Sequence, residues 1–309
     1  MKFKKEKGPK LTSREVCTKI WNDRTAYLMS APYVILFTLF TVVPVVISMF
    51  FSFTYFNMLE APQFIGLENY IRLFLKDDIF LIAIRNTVIL AAITGPVGYL
   101  LCFFFAWGIN EFSPKIRAVI TLFFYAPSIS GNAFLIFTLL FNSDSYGLVN
   151  AYLLKLGLIS SPILFFQDTK YMMPLVIVVI LWTSLGTSFL SFIAGFQGVD
   201  RSYYEAAAVD GVRNRWQELW FVTLPLMKES LMFSAIMSIT GAFNVGPTVT
   251  GLVGFPSNGY AVHTIMHHLE DYGGQRFEMG YASAIATVLF IVMISVNVVI
   301  QKIIRKVGQ

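Results

Sequence analysis

Residues 200–226 read DRSYYEAAAVDGVRNRWQELWFVTLPL, a polar, helix-forming stretch set between two long apolar runs. Ser202 and Glu205 have the spacing of a capping box and predict a helix from about Tyr203. Ala206, Ala207 and Ala208 favour that helix and keep it slim. Gly211 predicts a left-handed terminus, with Asp210 just before it. Asn214 can cap a second helix that carries Trp216, Leu219, Trp220 and Phe221 at helical spacing up to Leu224 and Pro225. A slim helix with bare alanines and two tyrosines, Tyr203 and Tyr204, is shaped to enter a groove on another protein. The other reading is a helix resting on lipid headgroups. Such helices carry lysines on one face, and 203–210 has none.

The runs around this stretch decide the class of fold. Of 309 residues, 56% are apolar and 13% charged, and a soluble domain of this size carries roughly twice that share of charge. Mean hydropathy is +0.66. Six stretches are long enough to cross a bilayer core, which needs about 20 helical residues: 27–53, 81–108, 119–141, 172–196, 227–253 and 277–303. Pro44 lies inside the first, and no small-residue cleavage site follows it, so it reads as a span and not as a signal sequence. Pro96, Pro127 and Pro247 also fall inside spans, where neighbouring helices can satisfy the freed carbonyls.

Basic residues orient the spans. Residues 1–25, the loop 109–118, the loop 197–228 and the C-terminal tail hold 17 of the 23 Lys and Arg. Arg72, Lys76, Arg85, Lys155, Lys170 and Arg276 fall on the other side. The positive-inside rule places both termini and the 200–226 stretch in the cytoplasm. The net charge of +5 reports topology and lipid contact, with no need of nucleic acid. Residues 1–10 read as a basic tail near anionic lipid, followed by a surface helix capped by Thr12 and Glu15. Residues 26–309 read as one six-span domain. Cys17 and Cys102 sit in different compartments and cannot pair.

EAAAVDG followed by VTLP resembles the EAA motif of binding-protein-dependent ABC importer permeases. The matching positions are Glu205, Ala206, Ala207, Gly211, Leu224 and Pro225. Ten residues separate Gly211 from Val222 where the usual pattern has nine. PQFIGLENYIRLF, LFNSDSYGLVN, WTSLGTSFLSFIAGFQGVDRSYYEAAAVDG and FEMGYASAIATVLF are similar to the carbohydrate type of that family, its MalF-like half, without a large outer insertion. The resemblance implies an all-α integral membrane protein of type I importer architecture, with six transmembrane helices, in a bacterial plasma membrane. Its helix at 203–210 would be the coupling helix that sits in a cleft of a cytoplasmic ATPase. The partners implied are a sister permease forming a heterodimer, two ATPase copies that use ATP and Mg, an extracytoplasmic sugar-binding protein and membrane lipid. No cofactor would be bound by this chain, and it would not itself be an enzyme.

Sugars ask for hydroxyl, amide and aromatic groups facing a wet cavity, because buried polar groups must be paired. The third predicted span offers Tyr125, Ser130 and Asn132, the fourth Trp182, Ser184 and Thr187, and the fifth Thr240 and Asn244. Serine and threonine in membrane helices more often bond their own backbone or a neighbour. By resemblance to the maltose-type permeases, Ser130, Ser184, Thr187, Gly241 and Asn244 fall on sugar-contact positions. Gly241 replaces an amide there and Ser184 a glycine, so maltose itself is not implied. The spans are nearly free of charge, which argues against a proton relay, a charged substrate or the alternative class, a stand-alone secondary transporter or channel for a neutral solute.

Other chemistries find little support. His263, His267 and His268 include an i, i+4 pair, but two imidazoles make a weak metal site, and the cluster reads as a wet helix cap at a cavity mouth. The sequence has no GxxxxGK[ST] phosphate loop, GxSxG or HExxH, which disfavours ATPase and hydrolase chemistry.

Overall fold

The computed structural model describes residues 21–304. The basic tail, the Thr12–Glu15 cap, Cys17, Arg305 and Lys306 lie outside the described residues. Among the described residues four helical stretches are long and apolar enough to cross a membrane: α1 (Arg24–Phe51), α3 (Asp78–Asn110), the α7–α8 pair (Thr169–Gln197) and α14 (Met279–Ile304). Two bent pairs qualify as spans only when each is counted as one. α1 buries no residue, is apolar all round, and packs its second half against α14.

A short hairpin, β1 (Thr54–Tyr55) with β2 (Gln63–Phe64), is not foreseen from the sequence, and a short helix, α2 (Glu68–Leu75), follows it. The hairpin packs under α14. A Cβ on Gly280 would lie against the Thr54 carbonyl oxygen, and the Gly280 N–H donates to the Phe56 carbonyl at 3.0 Å. Gly280→Ala should therefore lift the hairpin off α14 and destabilise the chain by about 2 kcal/mol, in the range for core overpacking. Thermal unfolding in nanodiscs checks this, and unchanged unfolding counts against the contact.

The third predicted span is two helices, α4 (Pro114–Ile129) and α5 (Phe134–Leu140), meeting at 87°. Pro127 weakens the last turn of α4, and Gly131 at φ +63° turns the chain, so the apolar run bends where hydropathy shows nothing. The fourth is broken between Thr183 and Thr187 into α7 (Thr169–Thr183) and α8 (Thr187–Gln197). The fifth is α11 (Lys228–Phe243) and α12 (Gly246–Val253), separated by Asn244 and Val245. Pro247 belongs to the first turn of α12, where its missing N–H costs nothing. The remaining helices are α6 (Leu148–Lys155), α9 (Arg201–Val209), α10 (Arg215–Leu226) and α13 (Ile265–Glu270).

α3 is the hub of the core. Phe103 meets Phe192 and Phe196 of α8 and Leu231 of α11 at one end. Phe80 joins Ile239, Tyr281 and Ile285 at the other. Leu90 packs with Val176, Val179 and Val249 between them. Small residues let helices close on this hub. A Cβ on Gly98 would stand 3.1 Å from Ser184 Oγ, and one on Gly195 would stand 2.7 Å from both Met227 Cε and Ser230 Oγ.

Candidate functional site

The 200–226 stretch folds as two short helices around a left-handed glycine. Gly211 has φ +95° and donates to the Ala208 carbonyl, while the Val212 N–H reaches back to Ala207. The N-cap of α9 is Asp200 and not Ser202: its carboxylate accepts from the Ser202 N–H at 2.9 Å. The extended backbone of Asp200 brings that oxygen over the helix start, so the Ser202–Glu205 box does not form. Glu205 instead lines a cleft. Asn214 caps α10 as expected, accepting from the Gln217 N–H at 2.9 Å.

α9 buries none of its residues, and Tyr203 and Val209 stand exposed. It is held to the chain by Tyr204 Oη, 3.0 Å from Thr223 Oγ1, and by contact with the π-helical turn Leu219–Thr223 of α10. Between α9–α10 and the turn joining α3 to α4 lies a cleft of about 750 Å³ lined by Glu111, Arg117, Arg201, Glu205, Arg215 and Glu218. Arg215 bridges it, 3.0 Å from Glu111 and 2.7 Å from Glu218. Leu224 and Pro225 close α10 beside Met227 and are half-buried.

Midway along the bundle a cavity of about 260 Å³ lies among α3, α7, α8, α11 and α12. Both helix breaks open onto it. Of the sequence candidates it brings together Ser184, Thr187, Gly241 and Asn244. Ser130 and Asn132 lie exposed at the α4–α5 bend, and Trp182 packs edge-on against Phe137; none of the three lines the cavity. Thr94, Thr183, Ser188, Ser238 and Thr248 line it and were not anticipated. The four-residue steps from Thr94 to Gly98 and from Thr183 to Thr187 were the available signal.

Three of the seven hydroxyls at this site, those of Thr94, Thr183 and Ser184, donate to their own helix. Ser184 Oγ donates to the Leu181 carbonyl at 2.7 Å and Thr94 Oγ1 to Leu90 at 2.8 Å. That satisfies each proton and leaves the oxygen lone pairs as acceptors toward the cavity. The Asn244 carboxamide, in contrast, has no hydrogen-bond partner among the described residues and lies on the cavity wall. Ser188 and Ser234 exchange hydroxyl-to-carbonyl bonds at 3.1 Å each, joining α8 to α11 beneath the cavity. The lining is polar and uncharged, with donors and acceptors spread over five helices. It can hold a polyhydroxylated neutral molecule and offers no nucleophile–base pair.

The histidines are buried and not wet, each about 2% exposed. α13 is nevertheless capped as read, with a capping box between Thr264 and His267. Burial, with the neighbouring His267 and His268, pulls His263 down to about 3, and burial also lowers His267. Burial pushes the Asp77 carboxyl up, but hydrogen bonds from His268, Tyr281 and the Phe80 N–H outweigh it and hold it well below the usual carboxylate range. Nearby, the Arg72 guanidinium lies 4.2 Å from the Tyr281 ring centre and 2.6 Å from Glu278, pinning α2 to α14.

No protein-family model matches the chain. It is 31% identical over 289 residues to the probable ABC transporter permease protein YesP of Bacillus subtilis, covering 91% of this chain and 90% of that protein. It is 32% identical to the sulfoquinovosyl glycerol transport system permease protein SmoG of Agrobacterium fabrum, covering 91% and 90%. To the arabinooligosaccharides transport system permease protein AraP of Bacillus subtilis it is 31% identical, covering 90% and 87%. The chain belongs to the ABC transporter permeases, and to the group of them that serves carbohydrate transport systems. Its fold is shared with a permease chain of a bacterial alginate ABC transporter, at TM-score 0.73, 23% identity, 95% of this chain and 99% of the other. A second structure of that kind, in complex with an alginate pentasaccharide-bound periplasmic protein, matches at TM-score 0.74 and 22% identity, over 94% and 98%.

Proposed function

We propose that this chain is the transmembrane permease subunit of an ATP-driven sugar importer, built for oligosaccharides, and that it forms half of the translocation path beside a sister permease. One observation carries the reading: the segment from Ser184 to Asn244 holds at its two ends the helix breaks of the polar cavity and, in its middle, the bare helix α9. A push on α9 is thus connected through α8 and α11 to the residues that face the substrate. The chain crosses the membrane six times, with α4–α5 and α11–α12 each counting as one broken span and α10 outside the membrane core. Both termini, and the cleft beneath α9, face the cytoplasm of a bacterial cell, a reading that the placement of Lys and Arg supports.

Two copies of a cytoplasmic ATPase receive α9 and its counterpart on the sister subunit, and they alone bind ATP and Mg. Their closure favours one arrangement of the coupling helices over the other, and that difference in binding energy turns the cavity from inward to outward. A sugar-loaded binding protein docks on the outer segments 54–80, 142–171 and 254–276. The named substrates of the relatives, arabinooligosaccharides among them, support a polyhydroxylated solute. The alginate complex supports delivery by a separate binding protein.

The test is mild-detergent purification of the tagged chain from its native host, with mass spectrometry of what accompanies it. An ATPase and a second permease in near-equal amounts are expected; the chain alone, or only with itself, would overturn the reading. Within the cavity, Asn244→Ala should raise the sugar concentration for half-maximal uptake about fivefold, the loss of one ligand hydrogen bond. Unchanged uptake kinetics remove Asn244 from the site.

A further inference from the structure

The outer end of the bundle holds a buried polar chain that the transport reading does not use. Asp77 Oδ2 lies 3.0 Å from His268 Nε2, and His268 Nδ1 lies 3.3 Å from His263 Nε2. The Asp77 end of this chain has fixed hydrogen-bonding roles, and the order of the protons follows from it. The Asp77 carboxylate also accepts from the Tyr281 hydroxyl at 2.7 Å and the Phe80 N–H at 2.9 Å. It therefore accepts a hydrogen bond from His268 Nε2–H, which leaves His268 Nδ1 as the acceptor that faces His263. His263 donates to it through Nε2–H, which leaves His263 Nδ1 as a lone pair, buried and without a partner. His267 is fixed independently. The Thr264 backbone N–H can only donate, and it points at His267 Nδ1 at 3.1 Å. The His267 proton is then on Nε2, 3.2 Å from the Gly246 carbonyl and 3.1 Å from Thr250 Oγ1.

The bare nitrogens do not converge. One faces Thr264, one faces His263 and one faces nothing, which is the wrong donor set for a metal ion. The rest of the segment is tied to α3 just as firmly. Asn86 Nδ2 donates to the carbonyls of Tyr260 and His263 at 2.9 Å each, and the Ile265 N–H donates to Thr87 Oγ1 at 2.9 Å. α13 is thereby anchored on α3, and His267 passes that anchor to Gly246, two residues beyond Asn244. α13 and α12 approach so closely that a Cβ on Gly246 would stand 3.1 Å from Met266 Cγ.

We propose that Asp77, His268 and His263 form a directional hydrogen-bond relay that anchors their segment on α3, and that His267 beside them is the positioning residue for the Asn244 wall of the cavity. The proposal rests on the transport reading for its purpose but not for its test. Asp77 reaches the relay from α3 and Tyr281 from α14. Tyr260 and Tyr272 flank the rings, and Arg72 stacks behind Tyr281. Asp77 supplies the negative charge that orders the protons, and burial keeps His263 and His267 uncharged.

The experiment uses the full chain in lipid nanodiscs, carrying Cys17→Ser, Cys102→Ser and Asn244→Cys, and follows the modification rate of residue 244 by a charged methanethiosulfonate reagent. His267→Leu should change the rate about fivefold, the factor that goes with one lost hydrogen bond. His267→Gln should restore it, because a glutamine at the third helical position can both answer the Thr264 N–H and donate to Gly246. Equal rates in all three, or no restoration by glutamine, overturn the positioning role. Nitrogen-15 spectra of the histidine rings in the chain with native His267 test the proton order directly. Nε2–H rings are expected for all three histidines, with His263 and His267 uncharged at pH 7, and an Nδ1–H form of any of them overturns the relay. Neither measurement involves uptake, so a failure of the importer reading in the co-purification leaves this result standing, and the reverse.

Discussion

Replacing Gly211 by proline should abolish coupled sugar uptake while leaving the chain inserted at its normal level. Gly211 sits at φ +95°, and the proline ring confines φ near −65°. Its N–H, donated to the Ala208 carbonyl, would also be lost. The local cost is about 3 kcal/mol or more, which the loop can relieve by swinging α9 away from its place beside α10. Nothing lies within 4 Å of the Gly211 Cβ position, so the bundle itself should be indifferent to the change. Glu205→Lys tests the same loop without touching its backbone. It adds a cation to a cleft already lined by Arg117, Arg201 and Arg215. Uptake and ATPase activity of the reconstituted complex are measured against insertion by membrane fractionation. Normal uptake in both variants would sink the coupling assignment.

Asp77→Ala should be the most damaging single change to stability. Asp77 caps α3 through the Phe80 N–H and is the shared acceptor of Tyr281 and His268. Removing it leaves two buried donors without partners, at about 1–3 kcal/mol each, and loses a helix cap worth about 1 kcal/mol. A loss of about 4 kcal/mol is expected, read as a lowered unfolding temperature in nanodiscs. The pH dependence has a definite sign. The folded Asp77 pKa lies below its ordinary 3.8, so its contribution is present above that value and fades as the pH falls below it. His263 is depressed from 6.5 to about 3, so its neutral form contributes fully above 6.5, and that contribution is lost as the pH falls through this window. His263→Phe should flatten the decline between about pH 6 and 4; an unchanged slope there would place the titration elsewhere.

The sharing of work between chain and fold is clearest in the helices themselves. Composition alone marks a membrane protein, because lipid accepts the Phe- and Ile-rich surfaces that water would not. The 200–226 stretch announced its own geometry: Gly211 and Asn214 act through their own backbones and nearest neighbours, so their roles can be read locally. The Asp200 cap was missed because aspartate and serine compete for the same orphan N–H groups, and only the backbone angles before α9 choose between them. Hydropathy also could not see the breaks at Ser184–Gly186 and Asn244–Val245, since an unwound apolar turn has the same composition as a helical one. Ser184, Thr187, Gly241 and Asn244 came together because they sit at or near those breaks; Ser130 and Asn132 did not because the bend between α4 and α5 carries them aside, and Trp182 of α7 packs on Phe137 instead. The histidines show the limit most plainly. The cap formed, but the histidines are buried and not wet, which depends on Asp77, 191 residues from His268 and 204 from Tyr281 along the chain. Periodicity and capping are set by neighbours within one helical turn and belong to the sequence. Which polar groups are hidden, and from what, is set by long-range packing and was decided by the tertiary structure alone.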